Sequence, residues 1–215
     1  MLRSSLFIVA WYHPGVIFSS NFQLLAFFVT TSITSVFAFI FAYRAQIQRK
    51  ELKRLATTDG LTGAANRRTL NEQLALAIRD FKLANRSFGL MVLDLDHFKH
   101  INDNYGHKTG DRMLTELIPL LRSLLRSSDQ VFRFGGEEFV VLLADIRQAD
   151  LLKLADKIRH GVATRLTLPD GKELTTSIGA AMLKPAEDWE DWLHRADMAL
   201  YQAKNDGRNR VVAAS

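Results

Sequence analysis

The sequence predicts an α/β (α+β) domain with a mainly antiparallel central sheet flanked by helices, preceded by one membrane-crossing helix. Three observations carry this. Residues 22–43, "FQLLAFFVTTSITSVFAFIFAY", contain no charged residue and run the length needed to cross a bilayer. From about residue 56 onward, apolar runs of strand length alternate with segments of helical periodicity. Between two of those runs stands "FRFGGEEFVV", residues 132–141, where Gly135-Gly136 reads as a two-residue hairpin turn and forces antiparallel pairing.

The elements follow in order. Residues 1–21 form a short apolar segment interrupted by Pro14-Gly15. Without a small-residue cleavage signature it is not a signal peptide. It fits half of a membrane hairpin, an interfacial segment or the remnant of a longer sensor region. Residues 22–43 are the transmembrane helix. Residues 44–56 are a basic linker helix, in which Arg44, Arg49, Lys50, Lys53 and Arg54 face the single acid Glu51, so this flank and everything after it are placed in the cytoplasm. Ala45, Gln48, Leu52 and Leu55 offer a weak coiled-coil seam there.

Residues 57–215 read as one domain. Asn66 can cap a helix carrying Leu70, Leu74, Ile78 and Phe81. Phe88 to about Asp94 is apolar almost throughout and therefore a central strand. Thr109 opens a helix with Leu114, Leu117, Leu121 and Leu124, which Pro119 should kink or rob of a backbone bond. After the hairpin come a helix through Leu151, Leu154, Ile158 and Val162, a strand in "ELTTSIGAAML", and a last helix through Trp192, Leu193, Ala196 and Leu200.

Composition narrows the chemistry. The 215 residues include no cysteine, which excludes a disulfide framework and thiol catalysis. A net charge of +5 permits an anionic partner. The carboxylates are concentrated in "LDLDHFKHINDNYGHKTGD" and at the hairpin tip. The first stretch spaces its acids like a calcium loop but lacks that loop's glycine and closing glutamate. Asp94 and Asp96 share a face of the strand end, with Leu95 offering only its carbonyl. If that end lies beside the hairpin, Asp94, Glu137 and Glu138 converge into a hard oxygen site suited to Mg²⁺ and completed by substrate phosphates.

Four stretches taken together, "DGLTGAANRR", "DLDHFKHINDNYGHKTGD", "RFGGEEF" and "ALYQAKNDGRNRV", resemble the GGDEF-domain diguanylate cyclases over about residues 56–213. The resemblance implies a nucleotidyl-cyclase, polymerase-palm-like fold and the joining of two GTP molecules into cyclic di-GMP with release of two pyrophosphates. It implies Mg²⁺ or Mn²⁺ held by Asp94, the Leu95 carbonyl and Glu137, with Glu138 a further ligand or neighbour. Glu137 would act as ligand and as base, two roles the sequence does not separate. Asn102 and Asp111 would read guanine. Lys204 and Arg208 would hold the triphosphate, and the amides around His97 and Phe98, with Lys99, would complete the cradle.

The same resemblance implies a homodimer at the bacterial inner membrane, without a nucleic-acid polymer as partner. It places an inhibitory site for the product cyclic di-GMP at Arg126 and Asp129 of "RSSD". Ala64 departs from the large apolar residue common in relatives, which bears on linker packing. The alternative is a catalytically weak domain of this family that acts through nucleotide binding or protein contacts.

Overall fold

The computed structural model describes residues 21–84 and 86–214, with the backbone alone at positions 50 and 52–55. The N-terminal segment 1–20 and the side chains of Leu52 and Leu55 in the predicted seam lie outside the described residues. The chain divides into two compact units, Met1–Arg54 and Leu55–Ser215.

The described part of the first unit, residues 21–54, is helical. Helix α1 spans Asn21–Thr57. Its stretch Asn21–Arg49 is long and apolar enough to cross a membrane, by length and composition, and its most apolar window is wholly uncovered. Phe22, Phe37, Phe39 and Phe41 are each at least 70% exposed. The hydroxyls of Thr30, Thr31, Thr34 and Ser35 donate to carbonyls three or four residues back, so the helix satisfies these polar groups internally, as an apolar solvent requires.

The second unit is a six-stranded sheet between two helical layers. Its elements are β1 (Ala65–Asn66), α2 (Arg67–Ala84), β2 (Phe88–Leu95), α3 (Phe98–Tyr105), α4 (His107–Leu124), β3 (Gln130–Arg133), β4 (Glu138–Ala144), α5 (Gln148–Arg165), β5 (Thr176–Met182), α6 (Trp189–Asn205) and β6 (Val211–Ala213). The strand order is β1-β3-β4-β2-β5-β6. Strand β2 is buried along its whole length, with β4 antiparallel on one side and β5 antiparallel on the other.

Its side chains alternate between two cores. Phe88, Leu90 and Val92 pack with Leu70, Leu74, Trp192 and Leu200 of α2 and α6. Met91, Leu93 and Leu95 pack with Leu117, Ile158 and Val162 of α4 and α5. The period of two along β2 therefore gives each helical layer its own half of the core. Ala64 is fully buried in the second of these clusters. Asn66 caps α2 as expected, its Oδ1 accepting from Thr69 N at 3.1 Å.

Two expectations need correction. The sheet is mixed, not mainly antiparallel, because β1 pairs parallel with β3 and β6 parallel with β5. The second of these arises where α6 carries the chain across the sheet and returns it in the same direction. The Gly-Gly turn is not a two-residue hairpin loop. Residues 134–137 separate β3 from β4, and Phe134 N donates to Glu138 O at 2.9 Å. Neither Gly135 nor Gly136 is among the positive-φ glycines. Pro119 lies inside α4 and, having no N–H, leaves one backbone hydrogen bond of the helix unmade, as expected.

Candidate functional site

The centre of the site is the C-terminal end of β2. Register places Asp94 opposite Glu138 of β4 and Ser177 of β5. Asp94 is 6% exposed, and its Oδ2 lies 2.9 Å from Nζ of Lys204 in the last turn of α6. Burial pushes its carboxyl up to about 6; the ammonium of Lys204 opposes this, while the negative charges of Glu137 and Glu138 add to it. Buried Asp94 and its ammonium partner thus feel the charges of two half-buried carboxylates, an excess of negative charge that a cation would relieve.

The hairpin loop is fixed from below. Leu95 N donates to Glu137 O at 3.4 Å. Arg133 donates to Gly136 O from Nε (3.1 Å) and Nη2 (2.7 Å), and its Nη1 donates to Asp59 Oδ1 at 2.8 Å. Asp59 also accepts from the amide and hydroxyl of Thr62. The Glu138 carboxylate folds over Gly135, where an added Cβ would stand 2.8 Å from Oε2. A side chain at position 135 would push the Glu138 carboxylate away from this position. Among the described residues no three His, Asp or Glu side chains stand close enough to enclose a metal by themselves. The donors that suit a divalent cation here are the Asp94 carboxylate, the Leu95 carbonyl and Glu137, hard oxygens that leave room for phosphate oxygens.

Helix α3 supplies the neighbouring anion-binding geometry. His97 stands at φ 57° as its N-cap, and no side chain caps the first-turn amides. Amides at Phe98 and Lys99 thus lie at the positive end of the helix. Asn102, on the same helix, has a buried Oδ1 without a hydrogen-bond partner. It faces Gly110 of α4, where an added Cβ would come within 2.0 Å of it. Asp111, the next residue, is exposed at the same helix–helix groove. An orphaned buried amide oxygen beside an exposed carboxylate fits a ligand presenting several N–H donors.

Lys204 and Arg208 do not occupy equivalent positions. Lys204 is partly buried against Asp94, whereas Arg208 is exposed at φ 64° in the α6–β6 turn. Lys99 is exposed on α3. Arg126 and Asp129 lie in the turn between α4 and β3, where Asp129 Oδ2 accepts from Arg126 N at 2.8 Å. They line a cleft of about 620 Å³ with Arg122, Gly63 and Gln130.

Sequence reasoning missed two features. Helix α3 is short and polar on its outer face, so periodicity did not reveal it. Asp96 is 4% exposed and fully engaged in hydrogen bonds, a role no local pattern announces.

Residues 56–210 match the family model described as "Diguanylate cyclase, GGDEF domain". The chain is similar to the probable diguanylate cyclase DgcC of Escherichia coli, 34% identical over 211 residues, and to the response regulator PleD of Caulobacter vibrioides, 40% identical over 185 residues. These matches cover 94% and 79% of this chain, but it spans only 57% and 41% of those relatives' lengths. Among solved structures it is similar to the coiled coil and GGDEF domain of DgcB from Caulobacter crescentus in complex with c-di-GMP. The TM-score is 0.77 at 31% identity, covering 86% of this chain and 99% of that one. It is also similar to the active GGEEF domain of a diguanylate cyclase from Vibrio cholerae, with a TM-score of 0.67 at 32% identity, covering 70% and 97% respectively.

Proposed function

The chain belongs to the GGDEF-domain family of diguanylate cyclases, and from that premise we propose that residues 57–215 condense two GTP molecules into cyclic di-GMP and two pyrophosphates. In each half-reaction a ribose 3′-oxygen bonds to the α-phosphorus of the other GTP, the α–β bridging bond breaks, and the 3′-hydroxyl proton is lost. One domain holds one GTP, so the ring closes only when two copies face each other. The active species is therefore a homodimer.

The observation that carries this reading is Asp94, buried at the strand end, paired with Lys204 and crowded by Glu137 and Glu138. Asp94, the Leu95 carbonyl and Glu137 hold a divalent cation, Mg²⁺ or Mn²⁺, with Glu138 beside them. That cation supplies Lewis-acid polarisation of the phosphate and neutralises charge on the leaving pyrophosphate. Lys204, Arg208 and Lys99, with the first amides of α3, bind and orient the triphosphate. Asn102 and Asp111 select guanine: the carboxylate accepts from N1–H and N2–H, donors that adenine does not present in that arrangement. The Glu137–Glu138 pair provides the carboxylate that accepts the 3′-hydroxyl proton.

Residues 22–43 anchor the chain in the bacterial inner membrane and 44–56 link the anchor to a cytoplasmic catalytic domain. Confinement in the membrane plane raises the effective concentration of the two halves. Arg126 and Asp129 form the inhibitory site for cyclic di-GMP.

The test is stoichiometry. Full-length protein in detergent, given GTP and Mg²⁺, should release two pyrophosphates per cyclic di-GMP, with specific activity rising with protein concentration. GTP consumption to any other product, or none, would reject the reading.

A further inference from the structure

Asp94 and Asp96 leave the end of β2 two residues apart, and both reach the C-terminal end of α6. Asp94 meets Lys204 on the helix. Asp96 meets the turn that follows it: its Oδ2 accepts from Asn209 N at 3.1 Å and from Thr175 Oγ1 at 2.8 Å. Its Oδ1 accepts from Ser177 Oγ at 2.7 Å. With both oxygens accepting hydrogen bonds and only 4% of the residue exposed, Asp96 acts as an internal acceptor that joins β2 to β5 and to the turn after α6.

What it holds is an unusual backbone. Gly207, Arg208 and Asn209 stand at φ 112°, 64° and 45°, three successive residues in the left-handed region, two of them with side chains. Such a run persists only where surroundings impose it. Arg208 N donates to Ala203 O at 3.0 Å on the helix side, Arg159 Nη1 donates to Asn209 Oδ1 at 3.0 Å, and Ile178 N donates to Arg210 O at 2.9 Å on the sheet side. Between these anchors, the Asn209 amide on Asp96 is the contact that ties the turn to the strand carrying Asp94. A left-handed residue sends its Cα–Cβ bond in a different direction from a right-handed one, so this turn sets where the Arg208 guanidinium reaches.

We propose that Asp96 is a positioning residue for substrate binding: by pinning Asn209 N it fixes the left-handed turn that aims Arg208 at the triphosphate, locking the metal-binding strand and the phosphate-binding cation into one unit. The proposal rests on the reading of Arg208 as a triphosphate contact.

The experiment is a kinetic cycle on the full-length protein in detergent with GTP and Mg²⁺, comparing Asp96→Ala, Arg208→Ala and the double variant. Asp96→Ala should raise KM for GTP at least tenfold with kcat within about threefold of the parent. The double variant should match Arg208→Ala alone within about twofold, because the pin acts only through that side chain. Thr175→Val and Ser177→Ala remove the carboxylate's other partners while leaving the pin; they should lower the melting temperature without moving KM. If Asp96→Ala does not fold, the nearly isosteric Asp96→Asn, which removes the charge from the acceptor of Asn209 N and leaves the turn's own residues unchanged, should raise KM in the same direction. Unchanged KM in whichever of these two variants is read, or effects of Asp96 and Arg208 that multiply, would overturn the positioning role and leave the site reading intact. An Arg208→Ala variant with parental KM would instead reject Arg208 as a triphosphate contact, and the proposal with it.

Discussion

Lys204 Nζ stands 2.9 Å from Asp94 Oδ2, joining the last turn of α6 to the end of the central strand. The pair only partly compensates the charge: burial, with Glu137 and Glu138 nearby, still pushes Asp94 up to about 6 from an ordinary 3.8. The folded, metal-free protein therefore keeps a proton that the unfolded chain releases, and this stability is lost as pH rises from about 4 through about 6. The displacement is worth at most about 3 kcal/mol. A divalent cation binds the carboxylate form and reverses the loss. Thermal unfolding with and without Mg²⁺ should show stabilisation that grows between pH 4 and pH 6 and then levels off. A pH-independent increment would remove Asp94 from the metal site.

Two glycines separate substrate binding from folding. Gly110→Ala places a Cβ 2.0 Å from Asn102 Oδ1, so it should displace that amide and raise KM for GTP tenfold or more. Gly179→Ala meets backbone, Ala196 O at 2.1 Å and Leu200 N at 2.3 Å, where α6 lies on β5. It should cost about 1–3 kcal/mol or more of stability. Melting temperature and KM measured on both variants check this; equal effects on both quantities in both variants would contradict the assignment.

The Arg133–Asp59 pair makes a third test. Burial raises the Asp59 carboxyl, but the hydrogen bonds from Arg133 and Thr62 outweigh it and hold the group below its ordinary value. Stability from this pair is thus present above the unfolded value and lost as pH falls through the depressed one. Asp59→Ala should cost about 1–3 kcal/mol in denaturant unfolding and lower kcat, because the same guanidinium braces Gly136 O in the hairpin loop. Parental kcat in a destabilised variant would show that the brace does not reach the site.

How far the site was legible in the sequence depends on distance along the chain. The strand carrying Asp94 and the two hairpin strands followed from short-range apolar patterning. The sheet's parallel edges did not, because β1 and β6 have two and three residues, too few for any period. The loop at Gly135 read as a tight turn because two glycines imitate one, but residues 134–137 separate the strands and neither glycine has a positive φ. Asp96 was invisible as a positioning residue because its partners lie 79, 81 and 113 positions away.

Arg126→Ala, with Asp129 intact, tests the inhibitory site. The planar guanidinium can donate two hydrogen bonds to guanine O6 and N7. Its loss should weaken inhibition by added cyclic di-GMP at least tenfold, about 1.4 kcal/mol, while the initial rate stays near the parent's. Unchanged inhibition would make the "RSSD" spacing a coincidence.

The most direct measurement of the central claim is cyclic di-GMP formation by the full-length protein beside its Glu137→Gln variant, with GTP binding measured in parallel. Glutamine keeps the size of the side chain and removes the charge that serves the metal and the proton. The expected result is product from the parent, at least a thousandfold less from the variant, and GTP affinity within about tenfold of the parent's. A variant that makes cyclic di-GMP at the parental rate would contradict the assignment of the hairpin as the catalytic centre.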